Sequence, residues 1–208
     1  MQSPSVGHVT PLIWTNRRAV AAAGLVAGWL LSVEVGTSRT ASRAAQRDEA
    51  DDLIVDKTTG QLCDLAFATA IVGGIYASRR AKQATIRSRR LSFVVGLAMQ
   101  GVGGVLSTIA RQHLGRFHRA ALTVHADHEL VETGPYRLIR HPLYTATIAV
   151  FLGIGATLGN WLSVLLSGLP AAALVYRITV EEDMLEDAFG VSYDLYRGST
   201  DRLIPRVW

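Results

Sequence analysis

Two short runs of this 208-residue chain concentrate the side chains that bind or move charge. The first, GPYRLIRHPLYT at 134 to 145, holds Tyr136, Arg137, Arg140, His141 and Tyr144. The second, RITVEEDMLEDAFGVSYDLYRGSTDRLIP at 177 to 205, holds Arg177, Glu181 and Glu182. Pro142 can open a helix at its first position, which leaves Arg140 and His141 at the positive end beside unpaired backbone N–H groups. That arrangement suits a carboxylate or another anion. On a helical wheel of about 100° per residue, Val180, Met184, Leu185, Ala188 and Phe189 share a broad apolar face, and Asp183, Glu186 and Asp187 point away. Glu181 falls inside that apolar face. It also stands four residues after Arg177, where the two side chains can meet. A carboxylate aimed inward beside an arginine is either a structural ion pair or a member of a site, and periodicity alone does not choose.

Other chemistries find less support. His113, His118, His125, His128 and His141 are five of the six histidines, but their spacings of five, seven, three and thirteen match no zinc pattern, and no cysteine accompanies them. No metal is expected. A serine or cysteine nucleophile with partners is not visible. The lone Cys63 excludes an intrachain disulfide and reads as a buried bystander. GVGG at 101 to 104 has no strand before it, so it reads as helix packing and not as a phosphate loop.

The elements that must position these residues are set by hydropathy. With 49% hydrophobic and 18% charged residues, the chain is poorer in charge than ordinary soluble domains at about 25%. Five apolar stretches approach the length of about 20 residues needed to cross a bilayer: Ala19 to Val35, Leu62 to Ser78, Leu91 to Ala110, Leu143 to Leu158, and Trp161 to Ile178. None alternates with period two, so the expected fold is all-α, a polytopic membrane protein with about five transmembrane helices. Gly24 and Gly28, Gly103 and Ser107, Ala149 and Gly153, and Gly155 and Gly159 repeat small residues four apart, which lets helices approach closely in lipid. Gly159 and Asn160 alone separate the last two stretches, which makes them a tight antiparallel hairpin.

The expected organisation is a polar tail over 1–18, three transmembrane helices with charged loops over 19–110, and a catalytic core over 111–208. Arg17 and Arg18 before an apolar run resemble a signal peptide. The run ends at Glu34 without a clean cleavage site, so a retained helix is expected. Residues 36–61 read as a charged interfacial loop. With all five stretches spanning, loops on the side of the second polar run carry 13 Lys and Arg and those opposite carry 8, six of them between Arg79 and Arg90. The larger count favours the cytoplasm for the polar runs. The arginines collect between apolar stretches and form no aromatic-interleaved stripe, so nucleic acid is not an expected partner.

The pattern HxLVxxGPYRxxRHPxY, present as His128, Leu130, Val131, Gly134 to Arg137 and Arg140 to Tyr144, resembles the signature of the isoprenylcysteine carboxyl methyltransferase family. So does R-x3-EE-x2-L-x3-FG-x2-Y-x2-Y, carried by Arg177, Glu181, Glu182, Leu185, Phe189, Gly190, Tyr193 and Tyr196, with Arg202-Leu-Ile-Pro205 behind it. The resemblance covers residues 110 to 206; the earlier part shares only hydropathy. It implies an integral membrane methyltransferase that uses S-adenosylmethionine without a Rossmann fold, with a cytosolic-side cofactor pocket and a lipophilic or prenylcysteine-like acceptor arriving from the bilayer. It further implies that His128, Leu130, Val131, Gly134 and Tyr136 surround the adenosine. His141 and Tyr144 hold the amino-acid end, Arg140 braces the turn, and Glu181 and Glu182 complete the pocket or the catalytic centre. Tiny loops are similar to those of prokaryotic members, implying a prokaryotic plasma membrane.

Methyl transfer is an in-line displacement that chiefly demands alignment in a dry site. A carboxylate acceptor is already a nucleophile, which Arg116 or Arg177 can orient; a thiol, amine or hydroxyl needs a base, for which Glu181 or His118 are candidates. Two other readings remain at this stage. Membrane sterol and enone reductases that use NADPH have a similar C-terminal layout with an RH-x-NY element. This chain has Pro142 and Leu143 where they have asparagine, and it lacks their preceding tryptophan pair. A non-catalytic membrane scaffold would leave the dense polar block at 125 to 144 without a use.

Overall fold

A computed structural model of the chain describes residues 24, 52–56, 58–115, 122–125 and 130–208. The first expected span, Ala19 to Val35, therefore lies outside the described residues apart from Gly24. The other four apolar stretches are helical. They form α1 (Thr58–Arg80), α2 (Arg89–Leu114), α3 (Pro142–Thr157) and a bent pair, α4 (Trp161–Leu166) and α5 (Gly168–Phe189). A last helix, α6 (Val191–Ser199), follows Gly190, whose φ of +51° lets the chain turn where an L side chain would be strained.

Among the described residues, three helical stretches are long and apolar enough to cross a membrane: α1, α2 and the α4–α5 unit, with mean hydropathy of 1.3, 1.7 and 1.5. Helix α3 is apolar but shorter, at 16 residues. At 1.5 Å per residue it rises about 24 Å, less than a hydrocarbon core of about 30 Å. The chain is thus a mostly helical integral membrane protein.

Helices α2 and α3 make the tightest pair because glycines remove the side chains between them. A Cβ placed on Gly96 would lie 2.6 Å from the Gly153 carbonyl, one on Gly153 would lie 2.7 Å from the Gly96 carbonyl, and one on Gly103 would lie 2.7 Å from the Ala146 carbonyl. Gln100, buried in this seam, donates to Thr157 Oγ1 at 2.8 Å. Helix α1 packs against α4 and α5. Its Phe67 also stacks on Phe151 of α3, with ring centroids 4.7 Å apart.

The expected hairpin is present and has a visible cause. Gly159 takes a φ of +65°, and Asn160 caps α4 by accepting from Leu162 N at 2.9 Å. The amide of Asn160 simultaneously donates to Ala81 O at 2.8 Å, fastening the hairpin to the α1–α2 connection. The bend at Ser167 follows from Pro170, which lacks the N–H that would bond Leu166 and crowds its carbonyl.

One correction concerns the all-α expectation. Among the described residues, β1 (Asp52–Asp56) pairs antiparallel with β2 (Leu122–His125), aligning Ile54 with Val124 and Val55 with Thr123. The β-branched centres of DLIVD and LTVH favour extended backbone. Their short length hid them inside stretches read as charged loop.

Candidate active site

Proline at position 142 starts α3, and just before it Ile139 forms a parallel bridge with Asp201. The segment Asp201–Leu203 lies alongside it. Arg140 N donates to Asp201 O at 2.8 Å, His141 N donates to Arg202 O at 3.0 Å, and Thr145 Oγ1 donates to Leu203 O at 2.8 Å. Arg140 and His141 do stand at the helix start, but their own N–H groups are taken by backbone and not left for an anion.

This pairing brings two guanidinium groups and an imidazole onto one carboxylate. Glu182, 3% exposed, accepts from Arg140 Nε at 2.9 Å and from Arg202 Nε at 2.8 Å, and His141 Nε2 lies 3.3 Å from its Oε1. Burial of a lone carboxylate is costly; here both oxygens are paired. The Arg140 guanidinium also reaches the carbonyls of Thr200 and Arg197, the latter at 3.2 Å, so it fastens α6 as well.

A second chain of bonds runs beside the first. Arg177 Nε donates to the Tyr144 hydroxyl at 3.0 Å, and that hydroxyl donates to Glu181 Oε2 at 2.6 Å. Arg177 and Glu181 do come together, with Tyr144 between them. Arg177 Nη1 also reaches Thr59 Oγ1 at 3.5 Å in the first turn of α1. His141 joins the two chains, since its Nδ1 lies 3.8 Å from Glu181 Oε2 and its ring stacks on Tyr144. From Thr59 to Arg202, the two chains of bonds form one continuous polar cluster.

The wheel reading placed Glu181 inward, whereas Glu182 is the more deeply buried and the Glu181 side chain is 26% exposed. The buried stripe of α5 passes through Leu174, Arg177, Ile178 and Glu182, set by what α1, α3 and the 201–203 segment cover. Periodicity of α5 alone does not contain that information.

Gly134 and Tyr136 lie in a single 3-10 turn, Gly134–Arg137. Gly134 takes a φ of +59° and abuts the His113 ring of α2. Tyr196 of α6 donates to Tyr136 O at 2.8 Å and so holds this turn against α6. Burial, above all, pushes the Tyr136, Tyr193 and Tyr196 phenols well above their ordinary range, so all three stay neutral at physiological pH. Tyr193 is fully buried, and its hydroxyl has no hydrogen-bond partner among the described residues.

Six of the sequence-derived candidates therefore converge: Arg140, His141, Tyr144, Arg177, Glu181 and Glu182. Leu130 and Val131 lead into the 3-10 turn. Arg116 and His128 lie outside the described residues, as does His118. Sequence reasoning gave no role to Arg202, Tyr193 or Tyr196, although all three stand in the quoted patterns. Thr59 carried no signal, because only the fold brings α1 to Arg177. No cluster of three or more metal-ligating side chains occurs among the described residues.

Residues 91–192 match the family model of the phospholipid methyltransferases. The protein-S-isoprenylcysteine O-methyltransferase of Schizosaccharomyces pombe is 38% identical over 91 residues, covering 43% of this chain and 39% of that protein. A probable protein-S-isoprenylcysteine O-methyltransferase of Oryza sativa subsp. indica is 33% identical over 121 residues, covering 54% of this chain and 61% of that protein. The chain thus matches less than two thirds of the length of either relative. A solved structure of the eukaryotic intramembrane Ras methyltransferase ICMT shares the fold, with a TM-score of 0.66 at 22% identity over 96% of this chain and 70% of that one. Over part of its length the chain is therefore similar in sequence to phospholipid and isoprenylcysteine O-methyltransferases, and it shares the fold of that solved intramembrane structure.

Proposed function

We propose that the chain is an S-adenosylmethionine-dependent methyltransferase that esterifies the carboxylate of a lipophilic, prenylcysteine-like acceptor. The observation that carries this reading is the buried Arg177, 6% exposed, tied through Tyr144 to Glu181 in a continuous polar cluster. Set among membrane-long helices, such a cluster suits an anionic group on an apolar tail.

The residues fit the cofactor in their chemistry. Glu181, partly exposed, can face a sulfonium or ammonium, and the Tyr193 hydroxyl, without a partner among the described residues, is a donor that polar ligand atoms can satisfy. His128, Leu130, Val131, Gly134 and Tyr136 would line the adenosine, while His141 and Tyr144 would hold the amino-acid end. When bound, S-adenosylmethionine supplies an electrophilic methyl carbon, and transfer to a carboxylate forms an O–CH3 bond as the C–S bond breaks, with no proton to move.

The protein's part is alignment and exclusion of water. Arg177 orients the acceptor carboxylate, and Arg116 is a second candidate for that task. Tyr144 fixes the Arg177 guanidinium by accepting from Nε. Glu182, with both oxygens engaged, is a clamp that holds Arg140 and His141 in place. The wider topology we propose is five spans with residues 111–208 as the methyltransferase core and the cofactor side facing the cytoplasm of a prokaryotic cell.

The test is transfer of tritiated methyl from S-adenosylmethionine to a farnesylated cysteine with a free carboxylate, using purified protein in detergent. Base-labile label on the free acid, and none on its amide, is the expected result. Absence of transfer together with a thermal shift by S-adenosylhomocysteine overturns the acceptor; absence of that shift overturns the donor.

A further inference from the structure

The densest positive charge among the described residues lies far from the site. Arg79 and Arg80 end α1, Lys82 and Arg87 lie in the short connection, and Arg89 and Arg90 open α2. Helix α1 starts beside Arg177 at Thr59 and ends at this connection, so the cations stand at the opposite end of the bundle. Neither residues 65–126 nor residues 143–176 contain any Asp or Glu. The α1–α2 connection and the α3–α4 turn that it touches therefore bring cations and no carboxylate to this end.

The connection is also firmly built. Ile86 N donates to Gly159 O at 3.0 Å, Asn160 Nδ2 donates to Ala81 O at 2.8 Å, and Thr85 forms a bridge with Asn160. Arg89 Nη2 donates to Thr85 Oγ1 at 3.2 Å. Arg79, Arg80, Arg87 and Arg90 project from this frame as exposed side chains. Trp161, 62% exposed, stands beside the frame at the start of α4, the kind of residue that settles at headgroup level.

We propose that this end of the bundle binds the headgroups of anionic phospholipids in the leaflet opposite the Glu182 site. Both helices that frame the connection are membrane-long, which sets the guanidinium groups at the depth of lipid phosphates. Guanidinium forks match phosphate oxygens in pairs, and like charges clustered without a carboxylate in the two connecting segments are relieved by an anionic partner. The proposal is independent of the methyltransferase reading, since its readout is lipid selectivity and not turnover.

The experiment compares spin-labelled phosphatidylglycerol with spin-labelled phosphatidylcholine for association with the full chain in lipid nanodiscs. The native chain is expected to select phosphatidylglycerol, and R79Q/R80Q/R87Q/R90Q to lose that selectivity by about fivefold per arginine removed. The matching lysine variant should retain most of it. R137Q/R206Q, on exposed arginines of the site end, should leave it unchanged. Equal association of both lipids with the native chain, or full selectivity in the glutamine variant, overturns the proposal. Displacement of the lipid by millimolar inorganic phosphate overturns it in favour of a free-anion site. If the glutamine variant fails to fold, salt on the native chain decides instead: selectivity that persists at high salt overturns the proposal.

Discussion

The Tyr144 hydroxyl donates to Glu181 Oε2 at 2.6 Å and ties the first turn of α3 to α5. The Tyr144 hydroxyl oxygen also accepts from Arg177 Nε, so one phenol sets the spacing of a cation and an anion in a single helix. Tyr144→Phe should lower methyl transfer by about tenfold to a hundredfold, the loss expected when one oriented hydrogen bond is removed. Combining it with Glu181→Gln should cost less than the sum of the two single effects, as measured by a double-mutant cycle on kcat/KM. Additive losses would show that the two groups act separately.

Glu182 is a different case, because it neutralises the buried Arg140 guanidinium as well as the partly exposed Arg202. Glu182→Gln should destabilise the protein by about 3 kcal/mol, since removing one partner leaves buried charge uncompensated. Thermal unfolding in detergent would register this as a clear drop in Tm, even where activity is not assayed. An unchanged Tm would mean that the clamp contributes no stability.

Close approach of α2 and α3 makes a paired prediction at glycine. Gly96→Ala would place a methyl 2.6 Å from the Gly153 carbonyl and should destabilise by about 1–3 kcal/mol. Gly101→Ala, on the open face of the same helix with nothing within 4 Å, should be neutral or stabilising through helix propensity. Equal behaviour of the two variants in thermal unfolding would deny the tight crossing.

Alkaline pH probes the buried phenols. Tyr136, Tyr193 and Tyr196 have pKa values raised above the ordinary 10.0, so their contribution is complete below that pH and is lost as pH rises through the folded values. Tm should be insensitive to these groups between about pH 7 and pH 9 and fall above about pH 10. Tyr193→Phe removes one such group and a hydroxyl without a partner among the described residues, so it should leave Tm at neutral pH unchanged or higher and flatten the alkaline fall. A lower neutral Tm would show that the hydroxyl is satisfied in solution.

Hydropathy and punctuation made much of the fold legible. Pro142 and Gly159-Asn160 mark the limits of α3, and the apolar stretches beginning at Leu62, Leu91 and Trp161 all proved helical. The β1–β2 ribbon was not legible, because five and four residues are too short a window against surrounding charge. Of the site, the residues that lie in one local run, Arg140, His141 and Tyr144, and the adjacent Arg177, Glu181 and Glu182 could be named. What escaped was the direction of each side chain. Glu181 and Glu182 differ by one position, and only the packing of α1, α3 and the 201–203 segment decides which is covered. Thr59 and Arg202 are brought in by tertiary contact across 118 and 20 residues, separations that no periodicity encodes.

The Glu182 clamp also dictates an order of events during biosynthesis. Arg140 and His141 emerge first, their carboxylate partner follows some forty residues later, and Arg202 comes only after that carboxylate. By then α1 through α5 have been translated, and a chain made from its N-terminus can settle those helices into lipid beforehand. The pairing of Asp201 and Arg202 with Arg140 and His141 is therefore a closing latch. A ribosome stalled before Arg202 would leave helices inserted in the bilayer around a half-neutralised, unfinished corner.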